Sequence, residues 1–200
     1  MKNLFLIIIF SSSAIEIYSQ NNWQFSISAG IRSTEFLVSD KLGFVADGYI
    51  FYELSDYIIL SISTGYHEWS ERFGPGGNEF RAIPIFGGIR IPITKGFLTP
   101  YVSGEFGLQF ITRNYTFEVY ERTERGLFRL VSSEPATEYV TKFTFRFAFG
   151  TKINIYKNLG FDFSLRYSPI RYDYIYIYPI QISRGSLNLY DFVFGIYYKI

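Results

Sequence analysis

The chain has 200 residues, a length for about one domain, and its 22 Phe, 18 Tyr and 2 Trp make it 21% aromatic. Nineteen Lys and Arg against 18 Asp and Glu leave a net charge of +1, which excludes nucleic-acid binding through a basic face; the aromatic share excludes disorder. With no Cys, one His and one Met, a disulfide framework, a thiolate site or a multi-histidine metal centre is excluded, and no cofactor or metal is expected.

In chain order, Met1-Lys2-Asn3 is a short basic start, Leu4–Phe10 is an unbroken apolar run, and Ser11–Ala14 are small. That is the pattern of a secretory signal peptide, far short of the ~20 residues a spanning helix needs. Residues 1–20 are therefore expected to be a signal peptide cleaved near Ser19-Gln20, with one domain over 21–200.

Period-two alternation dominates the rest, and a strand sends successive side chains to opposite faces. The first strand is expected over about 22–32, with Trp23, Phe25, Ile27, Ala29 and Ile31 against Gln24, Ser26, Ser28 and Arg32. The second (43–54) sets Phe44, Ala46, Ile50, Tyr52 and Leu54 against Asp47, Tyr49 and Glu53. The third (57–67) sets Leu60, Ile62, Thr64 and Tyr66 against Ser61, Ser63, Gly65 and His67. The fourth (80–93) sets five Ile, at 83, 85, 89, 91 and 93, against Arg81, Pro84, Gly88 and Arg90. The fifth (100–113) sets Val102, Gly104, Phe106, Leu108 and Phe110 against Ser103, Glu105, Gly107 and Gln109. The sixth is the clearest: Phe143, Phe145, Phe147 and Phe149 alternate with Thr144, Arg146 and Ala148, a pattern that a helix would scatter around its circumference. The seventh (160–168) sets Phe161, Phe163, Leu165 and Tyr167 against Asp162, Ser164 and Arg166. The eighth sets Tyr190, Phe192, Phe194, Ile196 and Tyr198 against Asp191, Gly195 and Lys199.

Short connections at 55–56, 94–99 and 156–159 alternate with long ones at 33–42, 68–79, 114–139 and 169–186. Short turns at one rim and long loops at the other describe an all-β, eight-stranded, antiparallel up-and-down transmembrane barrel in a bacterial outer membrane. The apolar face is read as facing lipid, because eight strands of inward Phe and Ile would overfill so narrow a lumen. A soluble ligand-binding barrel is the alternative with the apolar face inward. A diffusive porin is disfavoured on diameter.

The polar face then carries an interior charge network: Asp47, Glu53, Glu105, Asp162 and Asp191 against Arg81, Arg90, Arg146, Lys152, Arg166 and Lys199. Near balance is what a nearly dry interior requires. Hairpin symmetry pairs Arg90 with Glu105 and Lys152 with Asp162. The network reads as a plug that sets register, with a proton or ion path as the alternative. Pro84 and Pro92 lack an N–H for the ladder, so a bulge or an unpaired acceptor is expected in the fourth strand.

Ile83-Pro84-Ile85, the opening Pro100-Tyr101-Val102 with Gly104 and Gly107, and the closing Phe194–Ile200 resemble the outer-membrane β-barrel domain family. These are small eight-stranded barrels similar to outer-membrane protein X and to the membrane domain of outer-membrane protein A. The resemblance covers the mature chain and implies a non-enzymatic role in envelope integrity, adhesion or surface interaction. Lipid is then one partner and a surface protein or glycan another, and the chain is read as a monomer.

Some small barrels modify lipid A, which requires a nucleophile and base. His67 is the sole histidine available as base, and no serine is marked as its partner; hydrogen bonding at the rim or in the lumen is the plainer role. Residues 114–139 alternate again around a turn near Thr123–Gly126 and read as a projecting hairpin whose edge could pair with a partner strand. Tyr172, Tyr174, Tyr176 and Tyr178 recur at period two. They form a candidate surface-binding face, or a continuation of the seventh strand above the membrane.

Overall fold

The computed structural model describes residues 22–34, 42–71, 78–122, 128–177 and 180–200. The expected signal peptide and Tyr178 lie outside them.

Eight strands follow in order: β1 (Trp23–Ser33), β2 (Gly43–Ser55), β3 (Ile58–Glu71), β4 (Asn78–Pro92), β5 (Leu98–Arg122), β6 (Phe128–Asn154), β7 (Leu159–Ile177) and β8 (Ile180–Lys199). Each pairs antiparallel with its neighbour, and β1 pairs with β8 from Gln24↔Lys199 to Ser33↔Tyr190, closing the barrel. Closure removes the sheet edges, as a hydrocarbon surround requires, because no water is present there to satisfy an unpaired backbone group.

The apolar parity faces outward. Ile27 is 78% exposed, and Phe145, Phe147 and Phe149 are 51%, 57% and 59% exposed. From Ile83 to Ile91 the outward Ile of β4 cover about 20 Å of height at ~3.3 Å per residue and ~40° tilt, close to the apolar band of a membrane barrel. A soluble barrel with this apolar face inward is thereby ruled out. Aromatic rings stand at both rims: Trp23 against Tyr52, and Tyr167 against Tyr190.

Two of the long connections, 114–139 and 169–186, are largely strand among the described residues. The pairing of β5 with β6 continues from Leu98↔Ile153 to Arg122↔Phe128, with one irregularity at Val119/Tyr120. That of β7 with β8 reaches Ile177↔Ile180. The register of β6 with β7, in contrast, runs only from Phe147↔Tyr167 to Asn154↔Gly160. Pro169, which lacks an N–H, stands just past that limit, and the Thr144 hydroxyl donates to its carbonyl at 2.8 Å. Above this point the two hairpins separate.

Of the two outcomes expected at Pro84, the bulge does not occur, and the ladder is interrupted instead. The β4–β5 register passes through Pro84↔Gln109 unshifted. On the β3 side the ladder breaks between Thr64↔Ile85 and His67↔Ala82 and resumes in the same register. The Thr64 hydroxyl donates to the Pro84 carbonyl at 3.0 Å.

Two inner glycines receive aromatic rings from the strand opposite. A Cβ on Gly150 would lie 2.5 Å from the Tyr101 ring, and one on Gly160 would lie 2.5 Å from the Tyr197 ring. Each tyrosine is the register partner of its glycine, an arrangement that fills a curved sheet without a void. Gly150→Val is expected to lower unfolding free energy by about 1–3 kcal/mol, as overpacking does. Gly104→Val, where a Cβ meets nothing within 4 Å, should stay within about 0.5 kcal/mol. Urea unfolding in lipid vesicles measures both.

Candidate functional site

The inward parity brings the charged residues together at three levels of the lumen. In the middle level Asp47 of β2 accepts from Arg166 Nη1 of β7, and its other oxygen lies 2.9 Å from His67 Nε2 of β3. Arg146 of β6 donates from Nε to Glu105 Oε2 of β5 at 2.5 Å, and from Nη2 to the Tyr49 hydroxyl at 2.8 Å and Ser63 Oγ at 2.9 Å. Arg146 Nη1 also lies 3.6 Å from Asp47 Oδ2. Five strands therefore meet across the lumen through two guanidiniums and two carboxylates.

Nearer the short-turn rim, Arg90 Nη1 donates to Asp162 Oδ2 at 2.7 Å, and the Tyr101 hydroxyl donates to Asp162 Oδ1 at 2.6 Å. The Arg90 guanidinium sits 3.9 Å from the Tyr101 ring centre and 4.3 Å from that of Phe51, within cation–π range of both. Lys152 donates to Gln24 Oε1 at 2.5 Å, Gln24 donates to Glu53 Oε1, and Lys199 donates to Glu53 Oε2 at 2.5 Å. Towards the other rim, Arg32 makes a bidentate pair with Asp191 at 2.7 and 2.9 Å, the planar geometry that arginine favours with carboxylate.

Of the eleven proposed network residues, Asp47, Arg90, Glu105, Arg146, Lys152, Asp162, Arg166 and Asp191 are buried in the lumen, and Glu53 and Lys199 are half-buried at the short-turn mouth. The pairing inferred from hairpin symmetry differs in one case. Arg90 does not meet Glu105: the register sets Glu105 opposite Gly88 and Arg90 opposite Ser103. Arg90 instead reaches across the lumen to Asp162, and Glu105 turns to Arg146. Lys152 and Asp162 are register partners, yet both Asp162 oxygens are taken by Arg90 and Tyr101. Arg81 does not belong to the lumen. It shares parity with Ile83, stands 53% exposed, and lies 4.0 Å from Glu68.

Parity also flags what the charge pattern alone passed over. Arg32 follows Ser26 and Ser28 inward, and Tyr49 and Phe51 follow Asp47. The lumen is less polar than the sequence suggests. Trp69, Phe80, Ala82, Ile111, Ile170, Leu187 and Leu189 form a buried apolar cluster at the long-loop end. Arg32 lies against it, 5.0 Å from the Trp69 ring centre.

His67 is fully buried, points into the lumen and contacts Asp47. It is held away from any lipid ester, which would approach from outside the wall. The side chains of Tyr172, Tyr174 and Tyr176 lie outside the described residues; the backbone sets them opposite Gly185, Ser183 and Gln181 of β8. No metal-ligating cluster occurs among the described residues.

No protein-family model matches the chain, and no curated protein matches it. Among solved structures, Neisserial surface protein A matches with a TM-score of 0.57 at 12% identity, over 89% of this chain and 97% of that one. Ail, the attachment invasion locus protein of Yersinia pestis, matches with a TM-score of 0.51 at 14% identity, over 90% and 99% of the two chains. The outer membrane protein OprG of Pseudomonas aeruginosa matches with 0.51 at 10% identity, over 90% and 97%. At such identities the likeness is one of fold. The chain has the fold of small eight-stranded outer-membrane barrels, and with its exposed apolar wall it is an outer-membrane β-barrel protein.

Removing Asp47 leaves Arg166 without its carboxylate and His67 without its partner, and leaves Arg146 with Glu105 alone. Asp47→Ala is expected to cost about 3–5 kcal/mol, the range for breaking a buried ion pair. Arg81→Ala removes only an exposed, long pair and should cost about 0–1 kcal/mol. Equilibrium unfolding of the two variants in the same vesicles tests the contrast.

Proposed function

We propose that this outer-membrane barrel is a non-enzymatic surface-interaction protein. It would engage a surface protein or glycan through its two long hairpins, while its lumen is a structural plug. The observation that carries this reading is the β5–β6 hairpin. It extends far past the end of the β6–β7 ladder, and no residue from Leu130 to Phe143 is buried. From Leu130 to Pro135 β6 lies past Asn78↔Tyr115, where β4 leaves β5, and takes no part in closing the barrel. No ladder covers its β7-side edge among the described residues, so that edge could add a partner strand. Leu130, Val131 and Tyr139 are 46%, 56% and 80% exposed and supply apolar contact, with Glu134 and Glu138 beside them. The Ail structure in complex with the heparin analogue sucrose octasulfate indicates that such a fold accommodates a surface ligand.

The reading as a lipid A-modifying enzyme rests on His67 as base. Its burial against Asp47, with no hydroxyl nucleophile hydrogen-bonded to it among the described residues, gives that reading no support.

The test replaces residues 114–139 by a two-residue turn in cells displaying the protein. The shortened barrel is expected to keep its heat-modifiable migration on gels and to lose retention on surfaces coated with sulfated glycan or serum protein. Equal retention by both forms, or by cells lacking the protein, would overturn the proposal. The plug is tested separately in planar bilayers, where the intact protein should produce no stepwise conductance.

A further inference from the structure

The lumen is closed by apolar side chains at the long-loop end but opens at the short-turn end into a cavity of about 280 Å³. Five cations line this cavity: Arg90, Lys95, Lys152, Lys157 and Lys199. Two carboxylates line it, and both are engaged, Glu53 by Lys199 and Asp56 by Lys95. Arg90 is matched by Asp162 beneath the cavity floor. Two positive charges, Lys152 and Lys157, are left without a carboxylate in ion-pair contact among the described residues.

Lys152 is the more telling of the two. It is only 5% exposed, and a buried ammonium is costly unless it is paired. Its register partner Asp162 is already occupied by Arg90 and Tyr101. What remains is one bond to the neutral amide of Gln24 and the ring faces of Phe51 and Tyr197, 5.1 and 4.9 Å away. An ammonium has three donors. Lys152 thus keeps open donors at a cavity with an excess of two positive charges, and the Arg90 guanidinium adds its charge from beneath the rings of Phe51 and Tyr101.

We propose that this vestibule is a binding site for the phosphate group of a small periplasmic solute. A phosphate dianion matches the excess of two charges, and lysine is an established point-charge ligand for phosphate. Its oxygens would accept from Lys152 at the floor and from Lys157 at the turn. The cavity is larger than a phosphate ion, and the Tyr101 and Tyr197 rings that line it offer apolar faces to an organic substituent. The site lies at the opposite end of the barrel from the projecting hairpins and does not depend on their role.

The experiment titrates the folded protein, in a non-ionic detergent free of phosphate, with inorganic phosphate and with glycerol 3-phosphate, following the 31P resonance at constant chloride. Saturable binding of both is expected, and tighter binding of the ester would show that the tyrosine faces contribute. Lys157→Ser, on an exposed turn, should weaken binding about tenfold, one charge-assisted hydrogen bond's worth. Lys152→Gln should weaken it at least as much; if that variant fails to show the folded gel band, Lys157→Ser alone decides. Arg81→Ser, on the outer wall, should bind as the parent does. No saturable binding by the folded parent, or equal binding by Lys157→Ser, would overturn the proposal.

Discussion

The structure depends on one constraint: backbone groups inside hydrocarbon have no water to bond, and each one left unpaired costs several kcal/mol. The ladder from β1 through β8 and back to β1 meets that requirement only because it closes. Period two then follows. One face of every strand must suit lipid, and the other must fill a narrow lumen. Pro84, which removes an N–H from β4, interrupts the β3–β4 ladder only locally, without a register shift that would turn every outward Ile inward.

Inside the wall, volume and charge act together. A lumen of eight strands is filled by side chains, and here the fillers are large cations held between aromatic rings. Arg90 lies between Phe51 and Tyr101, and Arg146 lies 4.2 Å from the Phe86 ring centre. Each guanidinium supplies bulk, several donors and a charge that a carboxylate on another strand answers. The bonds that result, such as Arg146 to Tyr49 and Ser63, cross the lumen between strands far apart in sequence. They tie opposite walls together where the ladder joins only neighbours. The filling is uneven along the axis, apolar and sealed at the long-loop end, basic and open at the other.

Beyond the membrane the same strands obey a looser rule. Water can satisfy a free edge there, and the β6–β7 ladder, which ends at Phe147↔Tyr167, does not extend into that region. The exposed stretch of β6 carries Glu134, Pro135 and Glu138, the residue types by which proteins guard a free edge from indiscriminate pairing. A guarded edge with exposed Leu130, Val131 and Tyr139 is suited to selective contact.

Much of this was legible from alternation alone: the eight strands, their order, the short and long rims, and the lipid-facing choice. All of these are consequences of local parity, which a sequence carries residue by residue. Even the interior position of Arg32 and the exterior position of Arg81 were written in parity, though a reading guided by charge passed over both. Three things were not local. The partner of Arg90 depended on the lumen's width, since Asp162 on β7 comes nearer to its guanidinium than the residues of the neighbouring strand do. The apolar cluster around Trp69 and Phe80 depended on which inward positions reach the same height once the strands are tilted and staggered. The unpaired state of Lys152 depended on two other groups having taken the carboxylate opposite it. Sequence by itself determined the barrel and which way each side chain points; the tertiary structure decided which side chains meet, because stagger and closure bring together residues from strands that no local pattern relates.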